Sequence, residues 1–458
     1  MTDIFGVESE IAKGIAESLQ AKLTGREEQA LAVKPTNNPD AYDAYLRGLA
    51  VEGRSPASYG SYSPYLVAQA AGFFERAVQL DPNFALAWAR LSHVDAHLYF
   101  SGGLQSTSAQ RDTAKRALDN AQKLEPNSPE TLLALGYYQY YVLGDYGLAK
   151  STFRLVSKML PSSSEVPYAL GRVARREGNW GESVAYFEQA LTLGPRYVEL
   201  LMELAETYGI VRQFPAALKL YDRVLDIKPN DLVVMAEKAS IYQAQGNLQE
   251  AATFLSEINE QTPDELTFDT KISQLRLERN YGEAVRLLQA RLAQFHFDSQ
   301  DEKAVYQVAL AFTQRLAGDT TGAKATAEQS RDILERLYRD QSRSPKARAD
   351  LAMNLSQAYA AMGKKDLALK TAAHAIMLWP RAKDPKVGPA FEENLVLIET
   401  IFGENSRAIS TLARLLETPY GALSNGRPVT PALLRLDPVW DPLRADPAFQ
   451  KLCEEKQP

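Results

Sequence analysis

Residues 162–195 read SSSEVPYALGRVARREGNWGESVAYFEQALTLGP, and residues 196–229 read RYVELLMELAETYGIVRQFPAALKLYDRVLDIKP. Both blocks are 34 residues long and end in proline. Pro161, Pro195, Pro229 and Pro263 keep that spacing through three successive intervals, too regular for a residue that makes up about one in twenty of an average protein. The prolines carry companions at fixed offsets. Leu170-Gly171, Gly178-Asn179-Trp180, Ser183, Phe187 and Ala190 precede Pro195. Leu204-Ala205, Tyr208, Phe214, Ala217, Tyr221 and Val224 precede Pro229, and Ala239, Tyr242, Gly246-Asn247-Leu248, Ala251, Leu255 and Ile258 precede Pro263. A later copy runs from Leu355-Ser356 through Tyr359, Gly363, Ala368, Ala372 and Ala375 to Pro380.

Apolar residues recurring at spacings of three and four mark one face of a helix. A Gly-Asn or Gly-Asp pair then breaks that helix and turns the chain. A second apolar-periodic stretch follows, its alanines allowing close approach, until proline forces the preceding residue out of helical geometry. Each block therefore predicts a hairpin of two short helices. A single hairpin cannot cover its own apolar face, so neighbours must stack.

This pattern resembles the tetratricopeptide repeat (TPR). Looser copies are closed by Ala70, Phe74, Ala77 and Pro82, by Ala114, Leu118, Ala121 and Pro126 after Trp88 and Leu91, and by Ala149, Phe153 and Pro161 after Gly144-Asp145-Tyr146. Others are marked by Tyr281, Ala284, Leu288 and Leu292, by Gly318-Asp319, Ala323 and Ala327, and by Ala408, Leu412 and Leu415. The resemblance implies an all-α solenoid, a right-handed superhelix of about ten repeats between Asp40 and Pro419. The array is assigned to residues 35–420, with the period clearest over 128–263 and 349–380. Insertions at Gly53–Pro64 and Ser101–Ser108, and an interruption at Ser342–Pro345, read as loops.

The two ends differ from the array. Ile11, Ile15, Leu19 and Leu23 predict an amphipathic helix within residues 1–34. Asp3-Ile4-Phe5, Pro35-Thr36, Asn38-Pro39 and Tyr45-Leu46-Arg47-Gly48 resemble a junction in bacterial signalling proteins, where a TolB-like domain runs into a TPR array. Thr430 to Pro438 and Trp440 to Phe449 resemble the ending of the same group, whose far N-termini are adenylate cyclases, Ser/Thr kinases or winged-helix regulators. This implies that the chain is a regulatory segment following an upstream domain. Residues 421–458, with Leu433, Leu434, Leu436, Trp440, Leu443 and Phe449, are expected to form a cap, because a solenoid otherwise exposes an apolar end.

The 458 residues carry a net charge of −6 and are 45% hydrophobic. That is enough apolar material for a folded array, and without a long Lys/Arg run nucleic acid is not an expected partner. Cys453 is the single cysteine, so neither a disulfide within the chain nor a cysteine-based metal site is expected. No stretch approaches the length of a membrane span, and the opening lacks a signal-peptide pattern. The expected compartment is the cytoplasm, or the periplasm if a membrane span lies upstream.

Candidate chemistry is sparse. His93 and His97 lie four apart on a predicted helix, but Val94 stands where a zinc protease has glutamate, and surface or packing histidines are the preferred reading. Residues 318–324, GDTTGAK, lack the Gly-Lys-Ser/Thr of a phosphate loop and read as a repeat turn. The sequon Asn354-Leu355-Ser356 falls in a predicted helix. No nucleophile elbow, dinucleotide motif or kinase loop is present. No catalysis, cofactor or metal is therefore expected. Tyr59, Tyr62 and Tyr65 lie in an insertion whose preferred reading is packing over the first repeat; the other reading is a recognition loop, tyrosine being favoured at interfaces. Tyr137, Tyr138, Tyr140 and Tyr141 read as core, in a register open by one residue.

In TPR arrays the first helix of each repeat lines a concave groove. The resemblance places Tyr168, Arg172 and Arg175, then Met202, Glu203 and Glu206, then Glu237, Ser240 and Gln243 along it. The Lys/Asn clamp that some TPR proteins use for a terminal carboxylate is absent at these offsets. Two readings stay open. One is a groove for a peptide or protein partner; the other is pairing of Arg172 and Arg175 with Glu203 and Glu206 across neighbouring repeats, worth little at a surface. The expected function is a protein-interaction scaffold.

Overall fold

The structure, a computed structural model, describes residues 35–52, 64–297, 299–422 and 427–454. The amphipathic segment predicted within 1–34, the candidate loop residues Tyr59 and Tyr62 and the side chain of Tyr65 lie outside this description.

The described residues form two compact units. The first holds three helix hairpins: α1 (Pro39–Glu52) with α2 (Pro64–Leu80), α3 (Ala85–Ser101) with α4 (Ser108–Leu124), and α5 (Pro129–Tyr138) with α6 (Tyr146–Met159). The second holds seven. They are α7 (Glu165–Arg176) with α8 (Trp180–Leu193), α9 (Val198–Ile210) with α10 (Phe214–Ile227), α11 (Leu232–Gln245) with α12 (Leu248–Phe254), and α13 (Glu265–Leu277) with α14 (Tyr281–Gln294). Then follow α15 (Gln300–Leu316) with α16 (Thr320–Arg339), α17 (Pro345–Ala361) with α18 (Lys365–Leu378), and α19 (Gly388–Ile401) with α20 (Asn405–Glu417). A closing segment adds α21 (Pro431–Leu436), a 3₁₀ turn (Pro438–Leu443) and α22 (Pro447–Glu454). The fold is the all-α repeat solenoid that the 34-residue period predicts.

Local chemistry sets the helix boundaries. Asp231 accepts from the backbone N–H groups of Val233 and Val234, and Asp264 from that of Thr267, satisfying donors that a helix start leaves open. Within the α7/α8 hairpin the helices approach closely at Gly171, where an added Cβ would lie 2.9 Å from the Phe187 ring. Gly136 against Phe153 and Gly48 against Phe74 repeat that contact.

The turn between paired helices requires left-handed backbone. Gly178 and Gly246 supply it with φ of 77° and 83°, at no steric cost. Arg212 and Arg279 hold the corresponding turns of their own hairpins with φ of 60° and 59°, which costs a non-glycine residue about 1–2 kcal/mol.

In the first unit a π-helical turn spans Gln139–Leu143. It inserts one residue into the helical register, so Tyr137, Tyr138, Tyr140 and Tyr141 are all buried and neither one-residue register describes all four. His93 stacks on Tyr137 at a ring separation of 4.0 Å, and His97 lies against Tyr141. Among the described residues no three His, Cys, Asp or Glu side chains assemble as metal ligands.

In the second unit the interruptions at 101–108 and 342–345 pair with each other. Ser108 N–H donates to the Ser342 carbonyl and Ser344 N–H to the Ser106 carbonyl, both at 2.9 Å, around a single antiparallel bridge between Thr107 and Arg343. Gly318 forms the turn before α16, and Asp319 caps that helix by accepting from Gly322 N–H. The sequon residue Asn354 is buried in α17, where it donates to the Asp350 carbonyl. No helix among the described residues is long and apolar enough to cross a membrane.

Candidate functional site

Helices α7, α9 and α11 bring the nine groove candidates into one region of the second unit. Nearly all are buried: Arg175 is 2% exposed, Glu237 3%, Ser240 1% and Gln243 0%. Met202 belongs to the apolar core with Leu201, Leu204 and Tyr221. Gln243 donates to the Thr270 carbonyl and to Gln274 Oε1, joining α11 to α13.

The charged members form a network. Arg175 pairs with both Glu203 and Glu206 and donates to Thr207 Oγ1 at 3.2 Å. Arg172 lies 3.8 Å from Glu203 and donates to the Tyr168 hydroxyl, which donates in turn to Glu199. The cross-repeat pairing read from the sequence is therefore present, but it is not a surface pairing. The Arg175 and Glu206 side chains are 3% and 8% exposed, a setting where removing one partner strands the other charge.

The burial comes from the chain itself. Two segments of its C-terminal part lie over these helices. The link between α18 and α19 places Asp384 against Arg176 of α7, and Lys386 Nζ 2.6 Å from Glu206 of α9. The stretch before α21 inserts Arg427, 1% exposed, between α9 and α11. Its guanidinium pairs with Glu237, donates to Ser240 Oγ at 2.9 Å and reaches the Tyr221 hydroxyl at 3.0 Å. A Cβ on Gly209 would clash with this guanidinium, so a glycine inside α9 makes room for it. Three residues on, Thr430 donates through its hydroxyl to the Ala244 carbonyl at 2.6 Å.

The turn arginines hold the same segment. Arg212 donates to the carbonyls of Leu415, Thr418 and Val429, each at 3.1 Å. Arg279 binds Asp441 with both terminal nitrogens, and Arg276 pairs with Asp437 at 3.1 Å. Beyond Thr430 apolar contacts join these charged pairs. Leu433 and Leu436 pack on the core of α9 to α11, while Leu434, Val439, Trp440, Leu443 and Phe449 pack with Ile409, Leu412 and Leu415 of α20. The closing segment thus lies on the last hairpin and also reaches back to α11.

Electrostatics divide the acids. Burial pushes the Glu203 carboxyl up, but Arg175, Arg172 and Lys386 together outweigh it and hold it at about 2. Burial raises Glu237 to about 7, with Arg427 opposing. It also raises Glu206 against the pull of Lys386, and it lowers Lys386 to about 8, with Arg175 adding to that shift.

Sequence reasoning did not single out Lys386, Arg427 or Thr430 for these contacts, nor Arg212. One signal was available: the glycine of the interhelical turn is missing at 212 and 279.

Comparison with known proteins adds the following. Tetratricopeptide repeat family models match residues 168–196 and 212–272. Anaphase-promoting complex subunit 6 of Arabidopsis thaliana is 27% identical over 185 residues, which cover 39% of this chain and 32% of the relative. The BBSome complex member BBS4 homolog of Drosophila melanogaster is 26% identical over 175 residues, covering 35% of this chain and 36% of the relative. The chain thus spans about a third of the length of these two curated relatives. A solved tetratricopeptide repeat protein from Parabacteroides merdae superposes with a TM-score of 0.41 at 17% identity, over 59% of this chain and 98% of that one.

Proposed function

With the chain a tetratricopeptide repeat protein, and such repeats a protein-interaction scaffold, we propose that the groove of α7, α9 and α11 is where it holds an extended polypeptide partner. One observation carries this reading: the groove already holds a polypeptide, the chain's own residues 427–430. It grips them as a peptide site grips a ligand, through one side chain in a polar seat and through one backbone carbonyl, that of Val429, held by Arg212. Main-chain contacts give affinity whatever the sequence, and the seated side chain gives selectivity. The proposal assigns the chain no reaction of its own.

The test is site-specific photocrosslinking in cells of the source organism, with the photoreactive residue at Glu203 in the groove or at Met377. Met377 is 77% exposed on α18 and serves as an outer-surface control. A partner crosslinked at 203 and not at 377 supports the proposal. Crosslinks at 203 that reach only this chain's own residues, with partners captured at 377, overturn it.

A further inference from the structure

Resting on that reading, the contacts of the closing segment divide into two kinds. From Leu433 onward apolar contacts in two cores dominate, with Asp437 and Asp441 adding charged pairs to Arg276 and Arg279. From Arg427 to Thr430 polar contacts dominate: a guanidinium on Glu237, Ser240 and Tyr221, a carbonyl on Arg212, a hydroxyl on Ala244, with the Val429 side chain alone joining an apolar core. An apolar anchor leaves only by exposing its core. A polar tip exchanges its protein partners for water at a net cost of about 1 kcal/mol per neutral hydrogen bond and about 1.5–3 kcal/mol for one to a charged group. The seat is also shaped for one group. Gly209 sits where its lack of a side chain admits the guanidinium, although glycine inside a helix costs about 1 kcal/mol against alanine.

We propose that the groove selects an extended segment bearing an arginine followed three residues later by a threonine or serine, and that residues 427–430 are its intramolecular stand-in. The tip leaves the seat when such a segment binds, while α21 stays docked as the anchor. A tethered tip competes at an effective concentration in the millimolar range, so the apparent affinity for a partner is lowered by the fraction of chains with the seat occupied. Arg276 and Arg279, through Asp437 and Asp441, fix the anchor and so set how firmly the tip is presented.

The experiment titrates full-length chains with a fluorescein-labelled synthetic peptide of residues 418–436. A matched peptide carries alanine in place of Arg427. Three chains are compared: wild type, Arg427→Ala, and Arg276→Ala/Arg279→Ala. The last loosens the anchor without touching the seat and keeps the test available if Arg427→Ala does not fold, as judged by circular dichroism. Hydrogen exchange over 427–436 reports whether the tip has left. The expected result is binding at least roughly tenfold tighter to Arg427→Ala than to wild type, an intermediate gain for the double variant, and no binding of the alanine peptide. Adding Gly209→Ala to Arg427→Ala fills the seat and abolishes binding.

Equal peptide binding by all three chains shows that the tip does not compete and overturns this inference, leaving the groove reading intact. Binding that ignores the peptide's arginine overturns the proposed selectivity. Failure to bind with the tip still protected makes residues 427–430 a fixed part of the fold, which also overturns the inference. Failure to bind with the tip exposed and the array folded overturns the groove reading itself.

Discussion

Arg212 occupies the turn between α9 and α10 at the position that Gly246 holds between α11 and α12, 34 residues later, and both backbones are left-handed there. The difference is what the side chain does. A Cβ added at Gly246 would lie 3.3 Å from Ala432 and 3.4 Å from Leu436, whereas Arg212 collects three carbonyls of the C-terminal part. Arg212→Gly relieves the backbone strain and loses the hydrogen bonds; Arg212→Ala keeps the strain and loses them as well. Thermal stability should fall in the order wild type, Arg212→Gly, Arg212→Ala, with about 1–2 kcal/mol between the two variants. Equal Tm values for the variants would show that the turn is unstrained.

Arg175 is expected to behave as a buried charge. Arg175→Ala leaves Glu203 and Glu206 with a reduced set of cations and should cost about 3–5 kcal/mol in denaturant unfolding. Arg175→Lys should recover only part, since one ammonium cannot reproduce a guanidinium fork on two carboxylates. A loss below about 1 kcal/mol for the alanine variant would return the network to the surface class.

The pH dependence follows from two carboxyls. Burial raises both Glu237 and Glu393 to about 7 from an ordinary value of 4.5, with Arg427 and the Tyr420 hydroxyl opposing. Raised carboxyls bind protons more readily folded than unfolded, so their contribution is present below about pH 4.5 and lost as pH rises through about 7. Glu203, held at about 2, runs the other way: its contribution is present above pH 4.5 and lost as pH falls toward 2. The Tm should therefore decline between pH 5 and pH 8. Glu393→Gln keeps an acceptor for Tyr420, which donates to Glu393 at 2.9 Å, and should flatten this decline by on the order of 1–2 kcal/mol. A variant that shifts Tm equally at every pH would remove Glu393 from the explanation.

Gly171 and Gly181 give a packing test within one hairpin. A Cβ at 171 meets the Phe187 ring, whereas at 181 it meets nothing within 4 Å. Alanine gains about 1 kcal/mol in helix propensity at either site, but overpacking at 171 costs about 1–3 kcal/mol. Gly181→Ala should raise Tm and Gly171→Ala should lower it; the reverse order would place the close approach elsewhere.

The hairpins were legible in the sequence because their determinants are local. Apolar spacing, Gly178-Asn179 and Pro195 act within one 34-residue block. The clustering of the nine candidates on α7, α9 and α11 was legible by repeat offset, and so was the pairing of Arg175 with the glutamates of the next repeat. Their burial was not legible, because Arg427 meets Glu237 across 190 residues and no period links the two. Met202 was placed on the groove by offset alone, yet packing drew it into the core. The tyrosines at 137–141 resisted a single register because a π-turn, which leaves no mark in apolar spacing, adds a residue.

Those 190 residues between Glu237 and Arg427 also impose an order in time. Chains emerge from the ribosome N-terminal end first, at about 5–20 residues per second. Hairpins α7 to α12 can therefore fold roughly 10–40 s before Arg427 is made. Throughout that interval the seat formed by Glu237, Ser240 and Tyr221 has no occupant from its own chain, and a newly made molecule closes on itself only once Arg427 has been made.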